Sequence, residues 1–284
     1  MKKVYITGAR GMLGQEVAQV FSGEYEIFPP DLEEVDITDA EKIINDIYKY
    51  KPDLVVHLAA MTDVDGCEKE PDTAYRVNSL GTRNVALACQ RCNCELAYIS
   101  TGSVYRGDKC EPYTEFDTPD PRGVYAISKY QGELYVRELL NRFYIIYTCW
   151  LFGGGKNDKK FVAKIIELAK TRNELRVVND RFGSPTYTVD LAKGIKEIVA
   201  TGLYGKYHCV NEGKASRFDV AKEIVRIAGI DNCKLVPVSS AEFPLPAPRP
   251  INESMQNYQM KLLGLKPMRR WQDALEEYIS NTFR

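Results

Sequence analysis

Histidine, net charge and long apolar runs are all scarce in this chain of 284 residues. It has two histidines, and 38 Lys and Arg stand against 39 Asp and Glu, for a formal net charge of −1. This balance argues against a nucleic-acid or membrane-surface partner, and no apolar run is long enough to cross a bilayer. The N-terminus leads directly into a strand pattern, without the apolar region of a signal peptide. We therefore expect a cytoplasmic protein with one large α/β unit or two modest domains.

Eight cysteines are present, and Cys89, Cys92 and Cys94 are closely spaced. The sequence offers no fourth ligand nearby at zinc-like spacing, and the two histidines are His57 and His208. His57 lies inside an apolar run, where a packed core histidine is the favoured interpretation. The pattern favours reduced thiols, and we predict no metal site.

A glycine-rich turn follows the first predicted strand. Gly8, Gly11 and Gly14 have the spacing G-x-x-G-x-x-G between the apolar run 4–7 and a helical apolar pattern. Strand, glycine turn and helix in this order are the context that a dinucleotide fingerprint requires, because the backbone can approach a pyrophosphate at the helix N-terminus. An ordinary glycine turn is the less favoured alternative.

Two residues give opposite indications about the cofactor. Asp31 follows the second strand, where an acidic side chain can bind the adenosine ribose and disfavour a 2′-phosphate. Arg10 lies in the glycine turn, where its guanidinium could bind that phosphate. The sequence therefore predicts NADPH or NADH without choosing between them.

A Tyr and a Lys four residues apart, Tyr125 and Lys129, would lie on one face of a helix. The Tyr hydroxyl can donate a proton to a carbonyl oxygen, and an adjacent ammonium can lower its pKa. Thr101 comes at the end of the fourth strand, and ligands bind at that edge of open α/β sheets. The three residues follow the glycine turn in an order that chance seldom produces.

The alternation of strands and helices predicts an α/β fold: a Rossmann-type doubly wound parallel sheet with a smaller mixed α/β C-terminal substrate lobe. We assign residues 1–150 to the NAD(P)-binding domain, together with about 187–210. Residues 151–186 and 211–284 form the predicted substrate lobe.

Local patterns add three expectations. A helix is predicted from Thr73 to about Arg91, and irregular structure over 179–186. Ser216 and Asp219 have the spacing of a capping box that opens a helix.

Several motifs resemble a known family. The glycine turn, Thr101 and the Tyr125–Lys129 pair are similar to those of extended short-chain dehydrogenase/reductases. Over nearly the whole chain the similarity is to the dTDP-4-dehydrorhamnose reductase family, through the segments 57–65, 180–186 and 247–250.

The resemblance implies functions for individual residues. The catalytic residues would be Thr101, Tyr125 and Lys129. The substrate, a nucleotide sugar, would contact Thr101, Gly102, Trp150 and Arg249, although Trp150 could equally be a core anchor. The cofactor would be held by Gly8, Arg10, Gly11, Met12, Leu13, Asp31, Asp36, Ile37, Ala59, Ala60, Met61, Thr62, Asn78, Tyr125 and Lys129.

The implied reaction is NAD(P)H-dependent reduction of the 4-keto group of a nucleotide-linked 4-keto-6-deoxy sugar, by an enzyme that could be a homodimer. An epimerase or dehydratase of the same fold is one alternative, because Gly102-Ser103-Val104-Tyr105 is closer to the pattern of those enzymes. The lack of an adjacent acid where Gly102 stands argues against a dehydratase. A non-catalytic dinucleotide-binding regulatory subunit is the other alternative.

Overall fold

The computed structural model of the chain describes residues 1–30, 33–155 and 160–283. Its strands, in chain order, are β1 (Lys2–Thr7), β2 (Tyr25–Phe28), β3 (Leu54–His57), β4 (Glu95–Thr101), β5 (Phe143–Thr148), β6 (Leu151–Phe152), β7 (Glu174–Val178), β8 (Phe182–Gly183), β9 (Thr186–Tyr187), β10 (Gly205–His208), β11 (Ala215–Ser216) and β12 (Lys234–Val238). The helices are α1 (Met12–Phe21), α2 (Ala40–Tyr50), α3 (Val64–Lys69), α4 (Pro71–Ala74), α5 (Thr82–Cys92), α6 (Gly123–Leu139), α7 (Phe161–Thr171), α8 (Thr188–Ala200), α9 (Arg217–Ala228), α10 (Tyr258–Leu262) and α11 (Trp271–Phe283).

The central element is a six-stranded parallel sheet with the order β10-β5-β4-β3-β1-β2. The chain passes from β1 outward to β2 and then crosses to β3 on the other side of β1. The direction of winding therefore reverses between β1 and β3. A crevice at the carboxyl ends of these two strands is where such sheets bind ligands. The predicted doubly wound parallel sheet is confirmed.

Side-chain alternation along β1 builds a separate core on each face of the sheet. Tyr5 packs with the buried residues of α2, α5 and α6. Val4 and Ile6 point to the opposite face and pack with the buried residues of α1 and α8. Because successive side chains of a strand point to opposite faces, this short apolar run contributes to both cores.

A third core lies in the C-terminal half, where α7, α9 and α11 pack together beside the two-stranded parallel pair β7 and β12. β10 belongs to the central sheet, although α7 and β7 of the third core precede it in sequence. These contacts support the predicted division, with about 187–210 returned to the first domain. We propose that division for this chain.

The local predictions had mixed outcomes. The capping box is confirmed, with Ser216 Oγ accepting from the Asp219 N–H at 3.0 Å and opening α9. The predicted helix from Thr73 to Arg91 is helical but contains a π-helical segment, Tyr75–Gly81, between α4 and α5. Irregular structure is predicted over 179–186, but this stretch contains β8 and the first residue of β9. Both strands are short and pair with segments distant in sequence, so the local sequence has no strand periodicity that would predict them.

Two further features concern the whole described chain. No helix within residues 1–30, 33–155 and 160–283 combines the length and apolar character that crossing a membrane requires. All eight cysteines fall in these ranges, and each is a free thiol.

Candidate active site

The turn between β1 and α1 brings backbone N–H groups to the carboxyl edge of the sheet. Gly8 has a φ of +70°, and the Gly11 N–H donates to the Gly8 carbonyl at 3.0 Å. Gly11 is the N-cap of α1 and has no side chain to bond the first N–H groups, which remain available to an anion. A Cβ on Gly14 would lie 2.3 Å from the Gly8 oxygen, so only glycine allows α1 to begin this close to the turn.

A cavity of about 620 Å³ runs along this turn at the reversal point of the sheet. It receives most of the predicted cofactor residues: Gly8, Arg10, Gly11, Asp36, Ile37, Ala59, Ala60 and Met61. The lining combines a helix N-terminus with small and apolar residues, which suits the pyrophosphate and the adenosine of a dinucleotide. The residues that are present therefore fit NAD(P)H.

The other predicted cofactor residues have different surroundings. Met12 and Leu13 form the start of α1, and Leu13 is only 7% exposed, so it can offer a ligand only its backbone. Thr62 is exposed and directly follows the lining residue Met61. Asp31 lies outside the described residues.

Asn78 holds the segment after β3 in place. Its Oδ1 accepts from the Met61 N–H at 2.8 Å, and its Nδ2 donates to the Met61 carbonyl and to Ser128 Oγ, each at 3.1 Å. The side chain is fully buried. The π-helical segment places this amide between the cavity wall and α6, so its contacts support a positioning role beside the cofactor.

Replacing Asn78 with Ala is expected to destabilise the protein by about 1–3 kcal/mol, because the N–H and C=O of Met61 lose their partners. NADPH affinity should fall as well, since Met61 lines the cavity. Denaturant unfolding and an NADPH titration measure the two effects. Asn45→Ala, an exposed Asn on α2, is the control. Equal stability of the Asn78→Ala and Asn45→Ala variants would contradict the positioning role of Asn78.

Tyr125 and Lys129 lie one turn apart on α6, which crosses the end of β4. The Tyr125 side chain lies close enough to Thr101 for the Thr101 side chain to lower the pKa of the Tyr125 hydroxyl. Lys129 is 4% exposed; its Nζ donates to the Ile99 carbonyl at 2.8 Å and lies 4.3 Å from the centre of the Tyr98 ring. The tertiary structure thus brings together the three residues that the sequence predicted to be catalytic.

The surroundings change the proton affinity of both side chains. Burial raises the pKa of Tyr125 to about 12; the nearby Thr101 side chain opposes this rise and Glu253 adds to it. Burial lowers the pKa of Lys129 to about 7, against an opposing contribution from Glu133 one turn further along α6. Tyr125 therefore keeps its proton at neutral pH, while Lys129 can change charge there.

Thr101 and Gly102, at the carboxyl end of β4, lie beside Tyr125. Thr101 Oγ1 accepts from the Ser103 N–H at 3.2 Å, which leaves its hydroxyl proton for another acceptor. Gly102 is buried, and a Cβ there would lie 3.0 Å from the Glu253 carbonyl oxygen. The glycine is needed for this close approach of two backbones.

Trp150 is half-buried and is confined by Glu253, Arg217 and Gly183. Its φ is +45°, its indole Nε1 donates to Glu253 Oε1 at 2.6 Å, and the Arg217 guanidinium carbon is 3.6 Å from the ring centre. A Cβ on Gly183 would lie 2.4 Å from the ring. Arg217 and Gly183 therefore occupy the ring surface that a sugar would need for stacking. The side chain also packs partly against the core, as the core-anchor interpretation expects, and contact of Trp150 with the substrate stays a prediction.

Arg249 lies at the other end of the site. Its guanidinium pairs with Asp65 at 3.0 Å and donates to the Ala247 carbonyl at 3.3 Å. It lines a small cavity together with Tyr125 and Ser103. Arg249 is thus next to the catalytic group, with part of its hydrogen-bonding capacity already used.

His57 is buried between two hydroxyls, with Thr7 Oγ1 at 2.7 Å from Nδ1 and Thr82 Oγ1 at 3.1 Å from Nε2. Burial lowers its pKa to about 3, with a further contribution from Lys129. The prediction of a packed core histidine is confirmed.

Comparison with known proteins places this geometry in a family. A family model described as the RmlD substrate binding domain matches residues 1–283. The chain belongs to this family.

Similar proteins of known name cover nearly the whole chain. The spore coat polysaccharide biosynthesis protein SpsK of Bacillus subtilis is 37% identical over 280 residues, 98% of this chain and 97% of SpsK. The dTDP-4-dehydrorhamnose reductase of Mycobacterium tuberculosis is 38% identical over 283 residues, 96% of this chain and 91% of that protein. The crystal structure of dTDP-4-dehydrorhamnose reductase from Bacillus anthracis in complex with NADP is 41% identical, has a TM-score of 0.95 and covers 99% of each chain.

In this member of the RmlD family, two charged residues of the site escaped the sequence analysis. Glu253 bonds Trp150, and Arg217 stacks on it, although both are distant from Trp150 in sequence. Arg217 directly follows the predicted helix cap Ser216, but nothing local indicates that its side chain turns toward the site. Glu253 comes soon after the proline-rich loop, and that proximity was the only available signal.

Proposed function

We propose that this protein catalyses NAD(P)H-dependent reduction of the 4-keto group of a nucleotide-linked 4-keto-6-deoxy sugar, converting dTDP-4-dehydro-L-rhamnose to dTDP-L-rhamnose. The observation that carries the proposal is the placement of Tyr125 beside Thr101, with Lys129 one turn away on α6, next to a cavity that fits a dinucleotide. The names of the Mycobacterium tuberculosis and Bacillus anthracis relatives support the choice of sugar.

The glycine turn and the N-terminus of α1 would hold the pyrophosphate through backbone N–H groups. Asp36 and Ile37 border the adenosine end, where the Asp36 carboxylate also accepts from the Thr38 N–H at 2.8 Å. Ala60 and Met61 would line the cofactor, with Asn78 bonded to Met61 behind them. When it is bound, the reduced nicotinamide supplies the hydride that adds to C4 of the sugar.

The side chains supply the proton and stabilise the developing charge. Tyr125 donates its proton to the oxygen of the former ketone, and the Thr101 hydroxyl bonds the same oxygen. The protonated form of Lys129 favours proton release from Tyr125 and can bond the cofactor's ribose. Gly102, Trp150 and Arg249 border the sugar and its diphosphate, for which a guanidinium is suited.

The same proposal includes a cytoplasmic location and a homodimer. Free thiols at all eight cysteines agree with a reducing compartment. Light scattering on the purified protein tests the dimer, and fractionation of cells that express it tests the location.

The deciding assay is the oxidation of NADPH or NADH with dTDP-4-dehydro-6-deoxy-L-mannose, followed by the absorbance of the reduced nicotinamide. We expect one cofactor oxidised for each dTDP-L-rhamnose formed, and the ratio of the two rates gives the cofactor preference. Cofactor binding without oxidation would reject this reaction. Conversion of a nucleotide sugar without net oxidation would then indicate an epimerase or dehydratase.

A further inference from the structure

One carboxylate joins the two strand ends that carry the site. Ser103 Oγ donates to Glu253 Oε2 at 2.8 Å, and Trp150 Nε1 donates to Glu253 Oε1 at 2.6 Å. Ser103 follows β4 and Trp150 follows β5, which are neighbours in the sheet. Each carboxylate oxygen therefore fixes one wall of the reaction site.

The backbone around Glu253 is itself tied to two other segments. The Glu253 N–H donates to the Phe182 carbonyl at 2.9 Å, and the Tyr113 N–H donates to the Ser254 carbonyl at 2.8 Å. Asn252 Nδ2 donates to the Lys109 carbonyl at 2.8 Å. A side chain on so firmly bonded a segment can hold its partners in one geometry.

Trp150 needs such a partner. A positive φ is a strained conformation for a bulky side chain and persists only where the surroundings impose it. Arg217 and Gly183 confine the ring, while the bond to Glu253 fixes its direction in the ring plane.

We propose that Glu253 is a positioning residue for the reduction, which fixes the Trp150 indole and the Ser103 hydroxyl in the wall of the site. This wall stands beside Thr101 and Tyr125. Only the expected change in kcat/KM rests on the proposed function, because the contacts themselves can be tested without any substrate.

The charge of Glu253 has a second consequence, for Tyr125. The groups that act on the proton affinity of Tyr125 are Thr101 after β4, Cys149 after β5, Cys67 on α3 and Glu253, and Lys129 lies one turn away on α6. Burial raises the pKa of Tyr125 most; Glu253 and the two thiols raise it further, and Thr101 lowers it. A negative charge disfavours the phenolate, so Glu253 helps Tyr125 to keep the proton that it must donate.

Glu253 is in turn balanced by Arg217. Burial lowers the pKa of the Arg217 guanidinium, Glu253 and Cys149 raise it, and Arg249 lowers it. Neutralising Glu253 would leave the Arg217 guanidinium without the carboxylate that raises its pKa.

Tryptophan fluorescence tests the positioning directly. Trp150 and Trp271 are the two tryptophans of the chain, so Trp271→Phe leaves Trp150 as the single reporter. In that background, Glu253→Ala should shift the Trp150 emission to longer wavelength. It should also lower kcat/KM for the keto sugar by about tenfold or more, with unchanged NADPH affinity. Glu253→Gln retains an oxygen that accepts the indole bond and should restore the emission.

The pH profile of kcat separates the charge from the hydrogen bond. Loss of the Glu253 charge in Glu253→Gln lowers the pKa of Tyr125, so the more alkaline limb of the kcat profile, which reports Tyr125 and lies above the limb that reports Lys129, should begin at lower pH than in the parent protein. Glu276→Gln, an exposed Glu on α11, should leave the profile unchanged.

The outcomes distinguish the two proposals. Trp150 emission that does not change in Glu253→Ala would overturn the positioning role, whether or not the sugar is a substrate. If the emission shifts in Glu253→Ala but the parent protein does not reduce the sugar, the proposed function is rejected and the contact between Glu253 and Trp150 is supported. If the parent protein is active and Glu253→Ala has the same kcat/KM, the inference is also overturned.

Discussion

Replacing Tyr125 with Phe is expected to lower kcat by about 10²–10⁴-fold at neutral pH, the usual contribution of a positioned general acid. The substitution removes the hydroxyl beside Thr101 and leaves the ring. The lost oxygen is the proton donor itself, so raising the substrate concentration cannot compensate for it. Affinity for NADPH should change little, because the main cavity along the glycine turn does not include Tyr125.

The control for this variant is Tyr135→Phe on the same helix. Tyr135 contacts the Arg83 guanidinium through its ring, at 6.0 Å, and the ring is retained. This variant should have the kcat of the parent protein. Steady-state rates with saturating NADPH and keto sugar make the comparison, and an NADPH titration checks that both variants still bind the cofactor. A Tyr125→Phe protein with more than about a tenth of the parental kcat would show that another group donates the proton.

Replacing Gly14 with Ala is expected to destabilise the fold by about 1–3 kcal/mol. The new Cβ would lie 2.3 Å from the Gly8 carbonyl oxygen and 2.6 Å from the Cα of Ala9, so α1 must move away from the turn. Intrinsic helix propensity alone would make Ala better than Gly by about 1 kcal/mol. A net loss of stability therefore requires that the backbone collision outweighs that gain.

The same substitution should weaken cofactor binding more than tenfold, because the displaced N-terminus of α1 is the part that faces the pyrophosphate. Thermal unfolding and an NADPH titration measure the two effects. Gly23→Ala is the matched control, since a Cβ there would meet nothing within 4 Å. It should change the free energy of unfolding by less than about 0.5 kcal/mol. If Gly14→Ala were as stable as this control, the packing of α1 on the turn would be refuted.

Features that depend on neighbours in sequence were open to prediction. The apolar run 4–7, the glycine spacing and the Tyr125–Lys129 spacing each follow from the period of a strand or a helix. Strand order made the rest of the catalytic prediction possible, since parallel strands all end at one edge and Thr101 ends β4. For the same reason, the cofactor cavity lies where the glycine turn indicated.

Features that depend on contacts between distant segments could not be predicted. The sequence pattern places Asn78 in a helix and the family resemblance places it near the cofactor, but its bonds to Met61 follow from the packing of the π-helical segment. Trp150 could have been a stacking platform or a core anchor, and the approach of Arg217 and Gly183 decided its environment.

The division between sequence and tertiary structure has one physical cause. The sequence by itself determined the doubly wound sheet, the dinucleotide turn and the catalytic Tyr–Lys spacing, because backbone geometry repeats over a few residues whatever lies elsewhere. The tertiary structure alone placed Glu253 against Ser103 and Trp150, which are 150 and 103 residues away in the chain. Such a contact exists only once the packed cores have fixed where each loop returns to the carboxyl edge of the sheet.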